Sequence, residues 1–125
     1  MNNIKFKLWD TLTKRWADKR QFYIDPEGFI RKKETDGIYL MIEIVFCINA
    51  KDKYNRDIYD GDFLVDEKYC LKHVYYSIDD FQYMVATPEG DKVPASKIDF
   101  SRYIKIGNKL ENESIYNDLF KGEKK

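Results

Sequence analysis

Glycine, cysteine and histidine are all scarce in this chain, and each scarcity closes off a class of chemistry. Six glycines are scattered through 125 residues without a cluster. The phosphate loop and the dinucleotide fingerprint both need closely spaced glycines, so neither is present. His73 is the only histidine, and Cys47 and Cys70 are the only cysteines. A structural zinc takes four such ligands, more than the chain can supply. Cys70-Leu-Lys-His73 has a ligand-like spacing. On a strand, however, its two ends point to opposite faces. The same geometry works against a Cys–His nucleophile pair, and no oxyanion loop stands out.

Long apolar runs are also missing. The longest, Ile38 to Ile48, is interrupted by Glu43 and falls short of a membrane span. Met1-Asn-Asn-Ile-Lys5 lacks the apolar stretch of a signal peptide. With few thiols besides, a cytoplasmic protein away from the membrane is expected. Charge of one sign is lacking too: Lys plus Arg and Asp plus Glu number 22 each. A dedicated nucleic-acid binder usually carries a basic excess. Zero net charge instead weakens colloidal repulsion and is compatible with self-association.

Aromatic residues are plentiful, at 16% of the chain. They favour pleated, half-buried surfaces, and the local patterns agree. Ile4 to Trp9 alternates as a strand should, with Ile4, Phe6 and Leu8 on one face and Lys5, Lys7 and Trp9 on the other. Asp10 to Thr13 is a turn. Residues 21–32 form a hairpin around Asp25-Pro-Glu-Gly28. Residues 38–48 make a strand buried on both faces for part of its length. Asn49 to Arg56 is turn-like, with Tyr54-Asn55 at the tip. Strands follow at 63–65, 71–78 and 81–86, then 103–106, with a strand or 3₁₀ piece at 98–100. Asn112 caps a helix over Glu113 to Phe120, with Lys121 at its end and Ile115, Tyr116, Leu119 and Phe120 on one face. Gly122 to Lys125 should fray. The fold class is mainly β: small barrel-like antiparallel sheets with a short C-terminal helix. It is read as one domain over 1–125, with an N-terminal β region at 1–50, a barrel-like region at 51–108 and the helix at 109–121.

Three stretches resemble the YopX family of small phage and prophage proteins. They are Ile4-Lys-Phe-Lys-Leu-Trp-Asp10 with Lys14-Arg-Trp16; Lys51-Asp-Lys53 leading into Asp57-Ile-Tyr-Asp-Gly-Asp-Phe63; and Ile106-Gly-Asn108 followed by Glu111-Asn112. The resemblance spans nearly the whole chain, apart from a poorly matched stretch at 17–48. It implies a mostly β domain, a phage or prophage origin and a homo-oligomer, and it implies no particular activity. The chain departs from the pattern at Tyr54-Asn55, which replaces an Asn-Gly turn, and at Glu113, which replaces a proline.

Three groups are candidate sites. Asp60-Gly61-Asp62, with Asp57 and Asp66 nearby, resembles part of a calcium loop but lacks the closing glutamate at the required spacing. Asp60, Gly61 and Asp62 are therefore read as a structural turn, against the alternative of a metal site in a metal-dependent hydrolase. Lys14, Arg15, Trp16, Lys19 and Arg20 could contact phosphates and stack a base. The alternative is a solvated connector with Trp16 packed in the core. Tyr75, Tyr76, Phe81 and Tyr83 lie on a proposed hairpin, where alternation must turn some rings outward. An exposed aromatic face would be a partner or subunit surface.

No catalytic residue, metal ligand or cofactor is assigned. The function expected is non-enzymatic binding by a phage accessory protein, as a homo-oligomer, toward an unidentified host or phage partner. The alternative is binding of nucleic acid or a nucleotide ligand through residues 14–20.

Overall fold

A computed structural model of the chain describes residues 5–120. Ile4, placed in the first strand, and Lys121 to Lys125, placed at the helix end and tail, lie outside the described residues. The chain divides between Phe46 and Cys47 into two compact units. It is mainly β and antiparallel, with one sheet curled as a half-barrel and one short C-terminal helix, as the sequence predicts.

In the first unit β1 (Phe6–Asp10) pairs antiparallel with β2 (Arg15–Ala17). The Asp10 carboxylate accepts from the Leu12 and Thr13 N–H groups and closes the turn between them. β3 (Phe22–Ile24) and β4 (Ile30–Lys32) form the expected hairpin. Leu8, Ile30 and Ile42 make the buried core of this unit. Trp9 departs from the alternation pattern. Expected beside the lysines, it is only 4% exposed. β2 explains why: Trp16 lies opposite Trp9 and meets it edge-on at 4.8 Å. Lys7 sits 4.7 Å over the Trp16 ring, so an outward-facing lysine still shares an apolar neighbour.

β5 (Ile42–Lys51) starts and ends later than the apolar run suggests. Its first half pairs with β1 and its second with β6 (Asp57–Tyr59). Ile42 and Val45, three residues apart and so on opposite faces, are both buried, while Glu43 and Phe46 are exposed. Ile38 to Met41 lie before the strand and are exposed, Leu40 by 81%. Hydrophobicity alone misplaced the boundary by about four residues, because the run continues through an exposed connection.

The second unit is built on β10 (Lys92–Pro94), β9 (Gln82–Ala86), β8 (Leu71–Ser77), β7 (Asp62–Val65) and β11 (Ile104–Asn108), adjacent in that order. β10 is not visible in the sequence pattern, since its residues are mostly exposed. Alternation divides the sheet's residues between two faces. Leu64, Val74 and Val85 join Ile58 and Phe100 in a core on one face. Phe63, His73, Tyr75 and Met84 occupy the other. There α1 (Glu113–Leu119) and the following Phe120 pack. Two 3₁₀ turns, at Ala95–Lys97 and Phe100–Arg102, flank the position where a single short piece was predicted.

One loop design recurs. Asp25, Asp52, Asp66 and Thr87 each accept an N–H from the residue three further on, and that residue has positive φ. Each also donates its N–H to the carbonyl four residues on. The left-handed residues are Gly28, Asn55, Tyr69 and Gly90. This is the three-residue hairpin loop whose last member must be left-handed. Glycine and asparagine suit it, whereas tyrosine at φ 63° carries a Cβ penalty. Tyr69 is 86% exposed, so no packing compensates it. Tyr69→Gly should therefore raise stability by about 0.5–1 kcal/mol in urea denaturation. An unchanged or lower midpoint would show that the position is unstrained.

Candidate functional site

The acidic turn resolves first. Asp60-Gly61 carries the chain from β6 into β7, that is, from one sheet to the other. Asp62 is 1% exposed, and its carboxylate is engaged on both oxygens. Oδ2 accepts from the Tyr59 N–H at 2.7 Å and Oδ1 from Asn108 Nδ2 at 2.9 Å. Lys105 Nζ stands 3.8 Å from Oδ2. The Asn108 amide also donates to the Asp60 carbonyl and accepts from the Leu110 N–H. Gly61 has φ +90°, and a Cβ there would come within 3.3 Å of the Asn108 amide. Its N–H donates to the Val74 carbonyl on β8, and its own carbonyl accepts from the Lys109 N–H. Asp60, Gly61 and Asp62 thus build a corner between β6 and β7. No group of three or more metal-ligating side chains occurs among the described residues.

Asp52 plays a parallel part in the β5–β6 loop. Its buried carboxylate accepts from the Tyr54, Arg56 and Lys105 N–H groups and from the Arg56 guanidinium. Burial alone would raise its pKa, but these four donors outweigh burial and hold it at about 2. Arg56 reaches on to the Lys105 carbonyl, so the loop is fastened to β11 from two directions.

The basic stretch is largely committed to local contacts. Lys19 donates to the Phe6 carbonyl and covers the Phe6 ring. Arg20 forms a two-point pair with Asp18, which lowers the Asp18 pKa. Trp16 is half-buried against Trp9. Lys14 occupies the left-handed position of the β1–β2 turn, and Arg15 is exposed. All four cations are exposed, but Lys19 and Arg20 already hold local partners, so the field beside the packed indole is smaller than the five residues suggest on paper.

The aromatic residues of the β8–β9 hairpin divide as alternation requires. Tyr75 turns toward α1 and stacks on His73 at 5.7 Å. Tyr76 and Tyr83 lie opposite each other across the strands and meet edge-on at 5.2 Å. Tyr76 remains 44% exposed, while Tyr83 is half-buried. Phe81 was expected to open β9, but it belongs to the turn, at φ 55° and 81% exposed. Ile78 at the other side of the turn is 76% exposed. Ser77 Oγ donates to Asp80 and accepts from its N–H, fixing the turn between them. The hairpin therefore ends in an aliphatic and an aromatic side chain, with Tyr76 behind them.

No family model and no curated protein matches this sequence. Solved structures do match. Protein yopX from Bacillus subtilis superposes with a TM-score of 0.56 at 17% identity, over 90% of this chain and 97% of that one. Protein EF1440 from Enterococcus faecalis gives 0.57 at 20% identity, with the same coverage. The chain has the yopX fold.

The resemblance drawn from sequence holds at the level of that fold, and the geometry gives its motifs a physical reason. Within the yopX fold of this chain, Asp57 to Phe63 and Ile106 to Asn108 meet at the Asp62–Asn108 hydrogen bond. Glu111-Asn112 joins them through Asn112, whose Oδ1 accepts the Asn108 N–H. A Cβ on Gly107 would overlap that same oxygen. Asn112 stands at the helix start as expected. Its side chain makes no capping bond, because it serves Asn108 instead.

Sequence reasoning treated His73 only as a metal ligand or nucleophile and missed its place in the yopX fold. It is 4% exposed and ringed by Phe63, Tyr75, Tyr116 and Phe120. Its period-2 relation to Tyr75 and Leu71 was the available signal.

The Asp52 carboxyl should titrate near pH 2 in the folded protein, followed by its side-chain carbon resonance. An unfolded aspartate takes its proton near 3.8. The stabilisation is thus whole above about pH 3.8 and is lost as the pH falls toward 2. A measured midpoint at or above 3.8 would contradict the donor arrangement.

Proposed function

We propose that this protein acts by binding rather than by catalysis, as a phage or prophage accessory protein that self-associates in the host cytoplasm. The observation that carries the reading is the end of the β8–β9 hairpin. Ile78 and Phe81 project there with about four-fifths of their surfaces in solvent. A turn of this length needs no apolar residue at its tip, and glycine or asparagine would fill the Phe81 position with less strain. Large apolar groups on a rigid support suit a contact surface, where buried aromatic area supplies most of the affinity. Tyr76, exposed beside Tyr83, extends the same surface.

Charge supports self-association. Among residues 1–20, six cations face two acids, whereas the hairpin tip carries Asp79 and Asp80. Opposite charges on separate segments of a neutral chain attract between copies. The phage setting rests on the family resemblance. The carboxylates of Asp10, Asp25, Asp52, Asp62 and Asp66 all accept backbone N–H groups, which is turn-building work.

Light scattering over a wide concentration range tests this. The wild-type mass should rise with concentration, and the Ile78→Ser/Phe81→Ser double variant should stay monomeric with unchanged thermal stability. A strictly monomeric wild-type protein at high concentration would remove the self-association. Association that persists in the double variant would move it to another surface.

A further inference from the structure

His73 is enclosed by rings from three elements, and the enclosure is incomplete in one respect. Phe63 of β7 lies 5.2 Å from the imidazole, Tyr75 of β8 5.7 Å, and Tyr116 and Phe120 of the α1 segment 5.3 and 5.4 Å. Ala86 of β9 is its cross-strand partner. Its Nε2 is a buried side-chain nitrogen without a hydrogen-bond partner, and among the described residues no other buried side-chain nitrogen or oxygen is left so. A neutral imidazole tolerates this environment, whereas an imidazolium would hold a second N–H and a charge away from water.

No carboxylate among the described residues forms an ion pair with it. The charged group that acts on it is Lys109, whose ammonium covers the Tyr116 ring at 4.1 Å and repels a second positive charge. Tyr75 and Tyr116 are the other titratable side chains in ring contact with it. α1 carries Glu113 one turn before Tyr116, but Glu113 is exposed and makes no pair with the imidazole.

The cover on this side is slight. α1 has seven residues, no side-chain cap bond at its start and no basic residue in its last turn. A helix this short does not persist without packing. Tyr116 and Phe120 supply that packing, and both rest on His73 and its ring neighbours.

We propose that α1 is a proton-released cover: protonation of His73 expels Tyr116 and Phe120 and opens the aromatic face formed by Phe63, His73 and Tyr75, while the sheet beneath stays folded. The sheet keeps its own core on the opposite face, in Ile58, Leu64, Val74, Val85 and Phe100. Opening would thus present a second aromatic surface, apart from the hairpin tip and independent of the binding role argued for that tip.

The pKa agrees in direction. Burial first, and then Lys109, push the imidazole from 6.5 down to about 4. With the cover off, the imidazole regains the ordinary value. Docking is therefore at full strength above about pH 6.5, weakens as the pH falls and changes no further below about 4. At pH 5 the equilibrium shifts about 30-fold toward the open form.

Amide NMR of the full chain from pH 7.5 to 4.5 tests the proposal, with His73→Phe as the comparison. The phenyl ring keeps the stacking and cannot take a proton. In the wild type, resonances of 113–120 should move to disordered positions between pH 6 and 5 while those of β7–β9 stay dispersed. In His73→Phe they should stay in place throughout. Three results would overturn it: a wild-type helix docked at pH 4.5, a His73 pKa at or above 6.5 in the closed form, or equal release in His73→Phe. If His73→Phe does not fold, the Tyr116→Ala/Phe120→Ala variant decides. At pH 7.5 its sheet resonances should match those of acidified wild type, and its His73 should titrate near 6.5. A depressed His73 pKa in that variant would contradict the cover.

Discussion

The second unit depends on one buried hydrogen bond, from the Asn108 amide to the Asp62 carboxylate. A carboxylate that is 1% exposed loses its hydration and needs donors from the protein. Asn108 and the Tyr59 N–H supply them. The same amide holds the Asp60 carbonyl, so the corner between β6 and β7 is gripped on both sides of Gly61. Asn108 ends β11, and its own N–H is taken by Asn112 at the entrance to α1. One polar pair thus fixes where β7 begins, where β11 ends and where the helix starts. Gly61 is required because the backbone there is left-handed and the amide leaves little room for a side chain.

Acid groups elsewhere serve the same end on a smaller scale. Asp10, Asp25, Asp52 and Asp66 hold loop N–H groups, and Thr87 does so with a hydroxyl. In a chain of short strands, many N–H groups fall in turns, and side-chain oxygens satisfy them where no strand can. That use accounts for these aspartates without invoking chemistry. It also leaves the apolar tip of the β8–β9 hairpin as the feature that loop construction does not explain.

Much of this was legible in sequence because it is local. Asp25-Pro-Glu-Gly28 announces a turn through its own residues, and β7, β8 and β9 follow from alternation. The readings that failed depended on distant partners. Trp9 was assigned to the polar face because the pattern does not show Trp16 across the strand. Ile38 to Met41 were drawn into β5 because apolarity does not distinguish exposed chain from buried strand. The positions Asn108 and Asn112 were recognised as part of a pattern, yet their reason lies 46 residues away in Asp62 for one and in Asn108 for the other. The His73 enclosure was hidden similarly, since its cover comes from the far end of the chain.

A double-mutant cycle on Asp62 and Asn108 addresses the central claim most directly. Asp62→Ala, Asn108→Ala and the double variant would be unfolded in urea beside the wild type. Each single change should cost about 2–3 kcal/mol, because each strands a buried polar partner. The double variant should cost less than the sum by about 1.5 kcal/mol or more, since the second change then removes a group already stranded. Costs that add to within about 0.5 kcal/mol would show that the two residues act separately and that the corner is held by something else.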